Sequence, residues 1–308
     1  MDENIILGEK TKYPISGVLS LPLNVSDKVP AVVLVHGSGI ADKDETISAN
    51  KPFRDIAEFL PTKGIAVLRY DKRTFVYRKQ MVKEDLSKLS VEQETIEDAI
   101  LASDFLKNDG RIDANRVYII GHSLGGMLAP RIDTEGGNFA GVIILAGSPR
   151  NLSDIMLNQS EELIGQLGKF LRIIANKQTD ALKAKFDSIP DMTEEVAQKT
   201  KIFGKTFAWY FKEMNEHPSS DYLSVIKKPV LILQGDKDFQ ISVDKDFKLY
   251  QQICADKSNI EFKLYPGLNH LFMKSIYGTI KEYKKEYKVP GKVDSYVLND
   301  IAEWILKN

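Results

Sequence analysis

The stretch Arg116-Val117-Tyr118-Ile119-Ile120-Gly121-His122-Ser123-Leu124-Gly125-Gly126 decides how this chain is read. It opens with an apolar run of strand length, sets a glycine two positions to either side of a serine, and continues into a helical pattern. In a G-x-S-x-G bend between strand and helix the serine sits on a strained turn. Side chains two residues before and after it would meet neighbouring backbone, so both positions are glycine. Ser123 is therefore expected to stand exposed beyond a strand end as a nucleophile. The competing reading, a Gly-rich turn whose serine caps a helix, is decided by whether the rest of the chain supplies partners for the serine.

Working outward, Ile15 to Leu21 and Val29 to Val35 read as an antiparallel start to a sheet with Asn24 to Lys28 as the turn, the second strand apolar throughout as in a sheet covered on both faces. Phe53, Ile56, Ala57 and Leu60 recur at helical spacing, Pro61 and Gly64 end that helix, and Ile65 to Tyr70 resumes as strand. Ser90 and Gln93 form a capping box for a helix with inner stripe Ile96, Ala99, Ile100, Ser103 and Leu106, closed by Gly110. Strands Gly141 to Ala146, Pro229 to Gln234 and Ile260 to Tyr265 follow, with a helix over Val243 to Ile253. A last helix is expected to bury Val293, Tyr296, Val297, Ile301, Trp304 and Ile305.

Such alternation implies an α/β fold with a mostly parallel central sheet and helices on both faces. Between Pro149 and Tyr222 the composition is helical with no strand-like run, too long for a plain connection. The loop after a strand's carboxyl end overlies the site in open α/β sheets, so residues 149–222 read as an inserted helical cap on a core of 1–148 and 223–308. The cap's aromatic residues Phe203, Phe207, Trp209, Tyr210 and Phe211 are read first as its own small core and second as the lining of an acyl or aryl pocket. Lys274 to Lys292 reads as a solvated surface excursion whose position just after His270 puts it near the site rim.

A serine needs a general base, and the base needs a carboxylate to fix its tautomer. Of the four histidines, His36 lies in a Gly-rich turn and is read as structural, His122 is the variable position of the bend, and His217 falls near the cap's end. His270 lies in the loop Gly267-Leu268-Asn269-His270 after the last expected strand, where the order nucleophile, acid, base places it. Gly235-Asp236-Lys237-Asp238 offers two acids past a strand end. Asp238 is the expected triad member and Asp236 the residue that shapes the turn through its own backbone. An oxyanion would be met by the Leu124 N–H at the helix N-terminus and by the Ser38 N–H in His36-Gly37-Ser38-Gly39. Asp71, Lys72 and Arg73 follow a strand end and are read first as a structural ion-pair network and second as reaching toward the cleft. Asp42, Asp44 and Glu45 lack the ligand spacing of a calcium loop, so no metal site is expected.

With 308 residues and a net charge of −1, the composition gives no electrostatic reason for nucleic acid or an anionic membrane as partner. The single cysteine, Cys254, excludes an internal disulfide and reads as a buried, inert thiol. Met1 to Lys10 lacks the features of a signal peptide and no run approaches the ~20 apolar residues of a membrane span. A cytoplasmic protein is expected unless a leader has been removed.

The strings His36 to Gly39, Asp42 to Thr46, Lys51-Pro52-Phe53, Gly64 to Arg73 and Gly121 to Gly126 resemble the α/β-hydrolases, and within them a group of bacterial carboxylesterases similar to serine-aminopeptidase-like and acyl-aminoacyl-peptidase-like hydrolases. The likeness extends over nearly the whole chain outside the cap. It implies the α/β-hydrolase fold, Ser123, Asp238 and His270 as triad, hydrolysis of small short-chain acyl esters, and no cofactor. One rival keeps the triad and changes the substrate to a peptide or acyl-aminoacyl amide, with Glu194, Glu195, Glu213 and Glu216 available to grip an amino terminus. A second rival is a ligand-binding protein on a hydrolase scaffold.

Overall fold

Each of the seven residues of Val29–Val35 is buried, as a strand covered on both faces requires. In the computed structural model, which describes residues 1–23 and 27–308, this strand is central. The strands are β1 (Asp2–Leu7), β2 (Ile15–Ser20), β3 (Val29–Val35), β4 (Ala66–Tyr70), β5 (Ile112–His122), β6 (Val142–Leu145), β7 (Lys201–Phe203), β8 (Thr206–Phe207), β9 (Val230–Gly235) and β10 (Ile260–Tyr265). The main sheet has the order β1-β2-β4-β3-β5-β6-β9-β10. From β4 to β10 neighbouring strands are parallel, and β1 and β2 extend the sheet antiparallel.

Alternation along β3 builds two cores. Val29, Ala31, Val33 and Val35 face one side, with Ala99, Ala102 and Leu106 of helix Glu97–Asn108 and Leu128 of helix Leu124–Ile132. Val32 and Leu34 face the other, with Phe53, Ile56 and Ala57 of helix Pro52–Phe59 and Val297, Ile301 and Trp304 of helix Ser295–Lys307. Cys254 is buried, and burial pushes its thiol pKa up. Among the described residues no helix is long and apolar enough to cross a membrane.

Several expectations need correction. β2 and β3 do not pair: β4 lies between them, antiparallel to β2 and parallel to β3. Apolar patterning marks a strand without naming its neighbour, and a later strand has filled the gap. Residues 24–26 of the expected turn lie outside the described residues. β1 was not anticipated; it is a half-exposed edge strand carrying Asp2 and Glu3, as edges commonly do. Tyr296 is 76% exposed, and Leu298 takes its place in the buried stripe. In the Ser90 capping box, Gln93 reaches back to the Ser90 N–H at 2.9 Å, while the Ser90 hydroxyl accepts from Glu92 rather than Gln93.

Between β6 and β9 the chain forms helices Leu152–Gly165, Lys169–Asp187, Glu194–Lys199, Ala208–Glu216 and Ser219–Val225. Phe186, Ile189, Ala197, Ile202, Ala208 and Phe211 give this segment a small core of its own. It also contains the hairpin β7–β8, strands too short to show a period and absent from the expected pattern.

Ile301 is fully buried where the C-terminal helix meets the sheet. Ile301→Ala is expected to cost about 2–5 kcal/mol of unfolding free energy, checked by urea denaturation, because it removes buried methylenes and leaves a cavity.

Candidate active site

β5 delivers Ser123 into the bend with φ 53° and ψ −116°, a left-handed backbone that a residue with a side chain adopts only when its surroundings impose it. The imposing contacts are visible. The Ser123 N–H donates to Leu145 O at 2.8 Å, and the Ser123 carbonyl accepts from Met127 at 3.0 Å. A Cβ on Gly121 would lie 2.1 Å from Gly125 O, and one on Gly125 would lie 2.2 Å from Val35 O. Both glycines are therefore required by contact with backbone that cannot move aside.

Past β9, Asp238 is held from four directions. Its Oδ1 accepts from the Gln240 and Ile241 N–H groups at 2.7 and 3.0 Å. Its Oδ2 accepts from Gln234 Nε2 at 2.8 Å and pairs with His270 Nδ1 at 2.7 Å. The His270 and Asp238 side chains are both buried. Asp236 bonds the neighbouring loop, accepting from the Gly267 N–H at 2.6 Å, instead of closing its own turn. The His270 loop is fastened to the bend through His122, whose Nε2 lies 3.0 Å from His270 O and whose ring centroid is 4.8 Å from that of His270.

A third loop, after β3, closes on the serine. A Cβ added at Gly37 would lie 3.2 Å from Ser123 Cβ. Ser38, Ser123 and Leu124 line one cavity of about 450 Å³. Leu152, Ile155, Met156, Phe207 and Phe211 supply much of its apolar wall, so the aromatic cluster serves both as core and as lining. Trp209 packs against the segment's own core.

Charged residues brace this arrangement. Glu45 is buried with φ 50°; its Oε1 accepts from the Gly37 N–H at 2.7 Å, and its Oε2 makes a close ion-pair contact with His122 Nδ1 at 3.0 Å. Burial works to raise the Glu45 pKa, but the adjacent His122 and the Gly37 N–H hold it below the usual range. Burial likewise works to lower the His122 pKa, and Glu45 outweighs it, so His122 titrates above an ordinary histidine. His36 is different: burial brings it down to about 4, and its Nε2 lies 3.0 Å from Asp42 O. Its ring is buried and bonded within its own loop.

Arg73 pairs with Asp98 and Glu97, and Asp71 accepts from Ser16 and from the Lys43 N–H, as an ion-pair network requires. Asp42 accepts from Thr46, and Asp44 pairs with Arg69 and Lys51. Lys274 to Lys292 is not simply solvated: Glu286 is buried and accepts from Asn269 beside His270, and Tyr287 packs on Phe239.

Gln234, Glu45 and His122 were not anticipated as site residues. Gln234 had a readable signal, an amide closing an otherwise apolar strand. From the sequence Glu45 reads only as a candidate metal ligand and His122 only as the variable position of the bend.

Residues 28–275 match the family model described as serine aminopeptidase, S33. The chain is 37% identical over 296 residues to Esterase EstD of Thermotoga maritima, covering 94% of this chain and 65% of that protein, so it spans under two thirds of the length of this curated relative. Among solved structures, Est1E from Butyrivibrio proteoclasticus (15% identity, TM-score 0.59, 99% and 98% coverage) and the proline iminopeptidase of Mycobacterium smegmatis (14% identity, TM-score 0.59, 99% and 98% coverage) share the fold.

Since folded His36 stays neutral down to about pH 4 whereas an unfolded histidine takes up its proton near pH 6.5, the unfolded state binds more protons across that window. Stability is expected to fall as the pH drops from 6.5 to about 4, by roughly 3 kcal/mol from this residue. Urea denaturation against pH checks it: His36→Asn should lose about one proton from the slope.

Proposed function

The chain belongs to the serine aminopeptidase S33 family of α/β-hydrolases, and from that premise we propose that it is a serine carboxylesterase cleaving short-chain acyl or aryl esters through an acyl-enzyme. The observation that carries the reading is the buried Asp238–His270 hydrogen bond at 2.7 Å, on a loop tied by His122 to the bend that bears Ser123. The identity with an esterase from Thermotoga maritima supports the choice of ester.

Ser123 Oγ attacks the ester carbonyl and gives its proton to His270 Nε2. Asp238 fixes the tautomer through Nδ1–H and stabilises the imidazolium. The Ser38 and Leu124 N–H groups receive the negative charge of the tetrahedral intermediate. His270 returns the proton to the leaving alcohol, and water repeats the sequence to release the acid. Residues 149–222 act as a cap on a core of 1–148 and 223–308, closing the acyl cavity over Ser123. Its size of about 450 Å³ falls in the ordinary range for small-molecule sites.

The carboxylates that an amide substrate's amino group would seek are engaged. Glu213 pairs with Arg131 at 2.6 Å, and Glu194, Glu195 and Glu216 bond Gln198, Lys199 and Lys212 along their own helices. This favours esters over amino-terminal amides.

Steady-state hydrolysis of a p-nitrophenyl ester series tests the proposal. Activity is expected to be highest on short acyl groups and to decline on long ones, with kcat reduced about 10³-fold or more in Ser123→Ala and His270→Ala. Equal rates in wild type and both variants would overturn it.

A further inference from the structure

Lys72 is 1% exposed, an unusual position for a lysine, because burying an ammonium is costly unless it is paired and hydrogen-bonded. Its Nζ lies 2.9 Å from Glu94 Oε1 and donates to the Gly37 carbonyl at 3.1 Å. Glu94 in turn accepts from Tyr210 OH at 2.7 Å. A lysine ammonium carries three N–H donors; Glu94 takes one and the Gly37 carbonyl a second, so this loop carbonyl is part of what lets the charge be buried.

Gly37 is gripped at both ends, its N–H by Glu45 at 2.7 Å and its carbonyl by Lys72. The peptide joining Gly37 to Ser38 is trans and planar, so its C=O and the Ser38 N–H point in opposite directions from one rigid plate. Fixing the carbonyl fixes the donor. Among the described residues the Ser38 N–H has no protein partner, and it belongs to the loop packed against Ser123. A charge-assisted bond on the carbonyl also polarises the peptide and strengthens its N–H as a donor.

We propose that Lys72 is a positioning residue for the oxyanion hole: by holding the Gly37 carbonyl it aims and strengthens the Ser38 N–H, while Glu94 and Tyr210 hold Lys72. This rests on the esterase reading above, with Ser38 as oxyanion donor. Lys72 touches neither substrate nor nucleophile in this account, and its effect falls on the transition state rather than on substrate binding.

The experiment compares wild type, Glu94→Gln, Lys72→Met and the double variant Lys72→Met/Glu94→Gln as full chains, with Ser123→Ala as the control for the underlying reading. The double variant avoids leaving Glu94 buried and unpaired, so it remains informative if Lys72→Met fails to fold. The readouts are kcat and KM on p-nitrophenyl butyrate, inhibition by a trifluoromethyl ketone that forms a tetrahedral adduct, inhibition by butyrate, and Tm. Loss of a whole oxyanion donor costs about 10²–10³-fold in kcat, so a mis-aimed donor is expected to cost about 10–100-fold.

The expected result is that loss in the double variant relative to wild type, with KM and butyrate inhibition within about twofold and ketone inhibition weakened in parallel with kcat, and a partial loss of the same kind in Glu94→Gln, which removes the carboxylate that holds Lys72. The inference is overturned if the double variant keeps kcat within about twofold of wild type, or if kcat, KM and butyrate binding all deteriorate together with Tm. If wild type hydrolyses esters and Ser123→Ala does not, such a result sinks the role of Lys72 alone. If wild type and Ser123→Ala are equally inactive, the esterase reading fails and takes this inference with it.

Discussion

The absence of a β-carbon at Gly121 and Gly125 lets three pieces of main chain share a space that side chains would fill. The carbonyl of Val35 presses on the turn after β5, and the turn presses on itself. That contact holds Ser123 at positive φ and brings the loop after β3 alongside it. The cost of the strained backbone is carried by the sheet, since the Ser123 N–H is tied to Leu145 at the end of β6. The loops that bear Asp238 and His270 then have a fixed object to close on.

What surrounds that turn is a set of buried charges rather than apolar packing alone. Glu45 spans from Gly37 to His122, His122 reaches the His270 backbone, and Lys72 reaches from Gly37 to Glu94. Buried charges add little net stability compared with apolar replacements, yet removing one partner leaves the other exposed to a low dielectric. Their use here is directional. Each one fixes a named backbone group of a loop, the Gly37 N–H, the His270 carbonyl or the Gly37 carbonyl, which apolar side chains cannot do.

The parallel sheet, its flanking helices, the serine bend and the Asp238–His270 pair were legible because each leaves a local mark: a buried run, a helical stripe, glycines at fixed offsets, a polar loop after a strand. The bracing residues were not. His122, Glu45 and Lys72 are single polar residues whose meaning depends on partners far along the chain, and no local period distinguishes them from surface residues. Strand order failed for the same reason, with β4 inserting between β2 and β3. Lys72 was read as part of an ion-pair network, which it is through Glu94; its bond to the Gly37 carbonyl could only be seen in three dimensions.

β6 and β9 are parallel neighbours, so the segment between them leaves the sheet at the carboxyl end of β6 and must cross back to the amino end of β9, at the opposite end of the strands. The sheet therefore asks of that segment a crossover of about a dozen residues or more and sets no upper limit on it, while the same segment supplies Phe207, Tyr210 and Phe211 to the cavity wall. Remodelling that segment would change which molecules the cavity admits and leave the serine turn as it is.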